Sequence, residues 1–156
     1  MKTLITYLAT LFLLISTGFS QELVKKDGKF YDNSENLYSG NYTEYYENGT
    51  LKVNAEIKDG EYHGETIMYF NNGFINEKRY YNSGKMHGTW VTFNESNVKL
   101  AIANYENGKK HGEWIIWDEK GTLRYKMNYV DGERKGTWEV FDEKGQLLAE
   151  REYPSK

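Results

Sequence analysis

The residues best equipped for chemistry recur at one interval. The chain's three histidines, His63, His87 and His111, are each followed by glycine and stand 24 residues apart. Imidazoles in register raise the question of a metal centre. A zinc ion needs each ligand nitrogen within about 2.1 Å. If the interval is one β-hairpin, equivalent residues lie two strands, about 10 Å, apart. Two such side chains cannot share an ion without gross distortion. No cysteine is present to help, and Ser39 and Lys135 take the same position in the flanking units. We therefore expect no metal, and we read Gly64, Gly88, Gly112, Gly136 and the three histidines as structural turn residues.

Other chemistry finds little support. Without cysteine there is no thiol nucleophile. The sequence contains no G-x-S-x-G elbow, no H-E-x-x-H and no glycine-rich phosphate loop opening a helix. Glu65 and Glu113 share a column with Asn41, Thr89 and Thr137, the pattern of a solvated face and not of an acid–base pair. The expectation is a non-enzymatic protein without cofactors. Asn41, Asn48 and Asn94 begin N-x-S/T triplets, a weak signal in so polar a chain.

What places these residues is an internal repeat. Gly40, Gly64, Gly88, Gly112 and Gly136 are successive members of one column. Gly60, Gly84, Gly108 and Gly132 precede the last four by four residues, and a further column reads Gly49, Gly73, Asn97, Gly121 and Gly145. Two aromatic-rich columns keep step: Tyr42, Thr66, Trp90, Trp114, Trp138, and Tyr45, Tyr69, Phe93, Trp117, Phe141. Within each unit, runs such as "ETIMYF" are broken by "NNG" or "NSGKMHG". Asn-Gly and Asp-Gly pairs supply the positive φ of tight hairpin turns, and Asn97 tolerates it in place of glycine. Two strands of about 6–8 residues and two turns fill the period. The prediction is an all-β fold: an elongated, single antiparallel meander of about five hairpin repeats, with no helix after residue 20. "DGKF" at Asp27 to Phe30 reads as an incomplete first unit. Pro154, at the end of the last strand, is expected to discourage further pairing.

Alternation along the strands puts Trp114 and Ile116 on one face, and Ile115 and Trp117 on the other. Both faces carry apolar columns, so the sheet either curls over one of them or meets a partner. Tyr42, Trp90, Trp114, Trp138 and Trp117 are the candidate binding surface. The competing reading is packing, with Tyr81, Tyr105, Tyr129 and Tyr153 filling the spaces between the tryptophans.

Residues 1–20 read as a secretory signal, with Lys2, an apolar run from Leu4 to Ile15, then Gly18 and Ser20. Residues 21–36 form a lead-in with a partial repeat, and 37–156 the repeat domain. A secreted or periplasmic location follows, with no cysteine for lipid attachment. The formal net charge of −3, with both signs interspersed, disfavours nucleic acid and anionic membranes as partners.

"YYENGTLK…KDGEYHG", "YFNNGF…YNSGKMHG" and "YENGKKHGEW" resemble the bacterial variant of the MORN (membrane occupation and recognition nexus) repeat, over roughly Leu37 to Tyr153. The resemblance implies stacked β-hairpins in an elongated, grooved sheet used as an interaction scaffold. Many bacterial members carry an antitoxin label, which fits a cytoplasmic and not an exported chain. The expected partner is another protein. The alternatives are an envelope glycan on the same aromatics, antitoxin-type neutralisation, and self-association through the sheet edges.

Overall fold

The computed structural model describes residues 23–154, so the signal-like segment lies outside the described residues. Among those residues every regular element is a strand: β1 (Val24–Lys26), β2 (Lys29–Tyr31), β3 (Gly40–Tyr45), β4 (Leu51–Lys58), β5 (Glu61–Tyr69), β6 (Ile75–Asn82), β7 (Lys85–Met86), β8 (Gly88–Phe93), β9 (Lys99–Glu106), β10 (Lys109–Lys110), β11 (Gly112–Trp117), β12 (Leu123–Val130), β13 (Glu133–Phe141) and β14 (Leu147–Tyr153). β3 to β14 form one open antiparallel sheet in chain order, with β7 and β10 as short outgoing pieces beside β6 and β9. β3 and β14 are its edges.

Two kinds of turn alternate. Asp59-Gly60, Ser83-Gly84, Asn107-Gly108 and Asp131-Gly132 have positive φ at both residues, the two-residue turn whose twist matches that of the strands. At the opposite ends of the strands a longer turn closes on one left-handed residue, and Asn97 at φ 61° does there what glycine does elsewhere. The turns are tied to one another across repeats. The Gly108 N–H donates to the Met86 carbonyl and the Gly132 N–H to that of Lys110, both at 2.8 Å. The Asn72 amide donates to the Glu95 carbonyl at 3.1 Å.

The histidine–glycine pairs correct the sequence reading. They lie beyond the tight turn, in a bulge of the strand that leaves it. Ala55 pairs with Thr66 but Glu56 pairs with His63, so Gly64 and Glu65 are extra residues on β5. The same shift separates Ile102–Ile115 from Tyr105–Lys110, and Lys126–Glu139 from Asn128–Lys135. The left-handed glycines at 64, 88, 112 and 136 permit this kink.

The lead-in also departs from a single meander. β1 and β2 form a separate two-stranded sheet, around an Asp27-Gly28 turn of the tight kind, and the Phe30 N–H donates to the Gly60 carbonyl at 2.9 Å. This shortened hairpin puts Phe30, only 2% exposed, against the sheet. Phe30, Val53, Ala55, Ile57 and Tyr129 are the buried apolar residues. Elsewhere the sheet is one layer thick and its side chains are half-buried or exposed.

Candidate functional site: an aromatic ladder on one sheet face

The bulge positions the tryptophans. The Tyr80 carbonyl accepts from the His87 backbone N–H at 2.9 Å and from the Trp90 indole N–H at 3.0 Å. The Asn104 carbonyl accepts from the His111 N–H and the Trp114 indole, both at 2.9 Å. The Asn128 carbonyl takes the Trp138 indole N–H at 3.1 Å. Each indole is thereby held flat along the sheet beside the tyrosine of the neighbouring strand.

The rings form one line across the molecule: Tyr42, Phe30, Tyr62, Tyr81, Trp90, Tyr105, Trp114, Tyr129, Trp138, Tyr153. Successive centroids are 4.9–5.3 Å apart, mostly with tilted planes, the spacing at which aromatic quadrupoles attract. Cations lie over the line. The Arg79 guanidinium is 4.9 Å from Trp90, Lys110 Nζ is 4.2 Å from Trp114 and 4.8 Å from Tyr129, and Arg134 is 4.8 Å from Trp138. Each such contact contributes about 0.5–1 kcal/mol where exposed.

Of the five candidate surface residues, the structure brings Tyr42, Trp90, Trp114 and Trp138 into this ladder and puts Trp117 on the other face. Ring faces within the ladder are occupied by neighbours and cations, and only part of each ring meets solvent. The sequence reading missed Phe30, Tyr62, Lys110 and Arg134. A signal existed for three of them: Tyr38, Tyr62, Met86, Lys110 and Arg134 form a column of long side chains. Tyr62 fills the place left by Thr66, where the tryptophan column is interrupted, and stacks on Tyr81 at 5.2 Å.

Beside the ladder, on the same face, runs a second row. The strand registers place Met68, Glu77, Thr92, Ala101, Ile116, Tyr125 and Val140 across from one another in succession. Small side chains at Thr92, Ala101 and Ala103 sit between the larger Trp90, Trp114 and Ile116. Tyr125 is 41% exposed.

The histidines do not converge. His63 Nδ1 accepts from the Ser83 backbone N–H at 3.4 Å, as Ser39 Oγ accepts from Asp59 N–H at 2.9 Å in the unit before. At these two positions the column braces the next turn, whereas Nδ1 of His87 and of His111 has no hydrogen-bond partner. His87 and His111 line a shallow pocket of about 320 Å³ with Asn104 and Glu106, and His111 Nδ1 is 3.4 Å from Glu106 Oε2. Among the described residues no three histidine or carboxylate side chains come together as metal ligands.

The MORN repeat variant family model matches residues 38–59, 110–131 and 134–153. These segments are similar to MORN-variant repeats. They cover less than half of the chain, and the units between them share this chain's own glycine columns, both turns and the bulge. A solved structure, titled accessory secretory protein 1, 2 and 3 in Streptococcus pneumoniae, is similar at 16% identity and a TM-score of 0.37 over 70% of this chain. The present chain spans only 21% of that one. No curated protein matches.

Two measurements probe this arrangement. Thr66 is fully buried and its hydroxyl has no hydrogen-bond partner, a loss of hydration that nothing offsets. Thr66→Val should raise stability by about 1 kcal/mol in chemical denaturation; a loss of stability would show that the hydroxyl is satisfied in solution. Burial, then the nearby Glu44, raises the Tyr42 phenol from 10.0 to about 12, and burial also raises Tyr62 and Tyr105. A raised acid binds its proton more tightly in the fold, so these phenols favour folding below pH 10 and cease to do so as pH rises through the folded value. The thermal midpoint should fall between about pH 10 and 12, and the fall should be shallower in Tyr42→Phe.

Proposed function

We propose that this chain is an exported, non-enzymatic repeat scaffold, secreted or periplasmic, that binds another protein on the face carrying the aromatic ladder. The observation that carries the reading is a long sheet one layer thick, with no second layer among the described residues over the adjoining Ala101, Ile116, Tyr125 and Val140. Contiguous apolar surface rimmed by polar residues is the usual mark of a docking site, and Tyr and Trp are the residues most often decisive in one. On this reading the ladder is the rigid wall of the site, and Ile116 and Tyr125 are its anchors. The similarity of three segments to MORN-variant repeats fits a scaffold.

Glycan binding on the same aromatics is the second reading. It is weakened by the tilt of the rings, because a sugar stacks on an open ring face. Antitoxin-type neutralisation of a partner requires that residues 1–20 do not export the chain, and fractionation of the native cells decides between the two locations.

The test is capture from the envelope fraction of the native organism, with Ile116→Asp and Tyr125→Ser beside the wild type. Both changes spare the ladder. A protein captured by the wild type and reduced at least tenfold with the folded variants supports the reading. Equal capture by all three would move the site off this face.

A further inference from the structure

The repeat predicts its own continuation. β14 is the last of a series whose earlier members, β6, β9 and β12, each pair with the outgoing strand of the next unit: β8, β11 and β13. β3 belongs to the outgoing series, since Gly40 stands in the column of Gly88, Gly112 and Gly136. β14 therefore presents to solvent the edge that β12 presents to β13, and β3 presents the edge that β13 presents to β12. We propose that the sheet runs on from one copy of the chain to the next, β14 of one pairing antiparallel with β3 of another.

The side chains fit when the register of β12 on β13 is carried over. Lys126 faces Glu139, and Tyr125 faces Val140. The equivalent contacts across copies set Glu150 against Thr43, Ala149 against Glu44, and, one rung on, Leu148 against Tyr45. Leu148 is 70% exposed and Tyr45 58%, so each covers a patch that the single chain leaves wet. The rings continue as well. Tyr129 meets Trp138 at 5.2 Å, whereas among the described residues Tyr153 has a ring neighbour in Trp138 alone and Tyr42 one in Phe30 alone. Pairing brings Tyr153 to Tyr42 and makes the ladder continuous. Arg151 holds the column of Arg79, whose guanidinium covers Trp90 in the following unit. In the assembly Arg151 would cover Tyr42 and lie near Glu44.

β14 carries charge at Glu150, Arg151 and Glu152, and of these Glu150 would face Thr43 and Arg151 would lie near Glu44 across the proposed contact. The seven residues of β14 contain no lysine and no proline, the usual guards of a free strand. Pro154 follows the strand and removes only the rung beyond Tyr153. At the other end, Phe30 packs between Tyr42 and Tyr62, inward of β3; on the outer edge the Tyr38 hydroxyl donates to the Asn41 carbonyl at 2.8 Å, a bond that pairing must displace. Two different edges meeting head to tail make a heterologous contact that does not close by itself.

Sedimentation velocity of the purified chain over a concentration series tests this, with Leu148→Glu and Tyr45→Glu alone and in equimolar mixture. Circular dichroism and thermal midpoints confirm that each variant is folded; Leu148→Lys and Tyr45→Lys are the second pair. The wild type should grow with concentration and show no plateau. Each variant alone should lose association, and the mixture, with one good head and one good tail, should stop at a dimer. A monomeric wild type at every concentration overturns the proposal, as does a plateau at dimer. Association that survives either substitution, including loss with Leu148→Glu alone as β14–β14 pairing would give, also overturns it.

Discussion

A sheet one layer thick has no opposite layer against which to bury apolar surface. Here that constraint is met sideways. Each tryptophan lies down along the sheet, and its indole N–H is bonded to a carbonyl that the bulge leaves in reach. The next tyrosine packs on it, and the pattern carries across strands from Phe30 to Tyr153. The same carbonyl also takes the N–H of the bulge histidine at His87 and His111. Glycine is needed in the bulge because the kink runs through a left-handed residue. Bulge, carbonyl and ring form one device, and the repeat copies it.

Because every unit touches only its neighbours, stability should behave as a sum of units and interfaces. The weak point is then visible. At Thr66 the tryptophan is missing, and the molecule closes the gap from outside the column, with Tyr62 stacking on Tyr81 and Phe30 edge-on to Tyr62. The short β1–β2 hairpin is thus a structural cap as well as a lead-in. Lys25, 5.1 Å above Phe30, repeats there the role that Lys110 and Arg134 have further along.

The period, the all-strand content and the long meander were legible in the sequence, because glycine columns at a fixed interval report turn geometry directly. Asn97 was legible for the same reason, its left-handed φ being one that asparagine tolerates. The histidine–glycine pairs were misread in detail. Positive φ is demanded by a tight turn and by a bulge alike, and only the strand register separates the two. The spacing of the tryptophans was readable, but not the carbonyls that hold them, since those bonds exist only once the bulge has formed. Phe30 was out of reach for another reason: it enters the ladder from the lead-in hairpin, outside the repeat columns, to repair a local gap.

The central claim is that the tryptophan column is the spine of the sheet, with any binding role secondary to it. The most direct measurement is chemical denaturation of Trp114→Ala beside Trp117→Ala, the second being an aromatic of the same unit that lies outside the ladder. The account predicts a loss of about 3 kcal/mol for Trp114→Ala and a clearly smaller one for Trp117→Ala. Trp114→Ala with wild-type stability would contradict it, and would return that column to the role of an exposed platform.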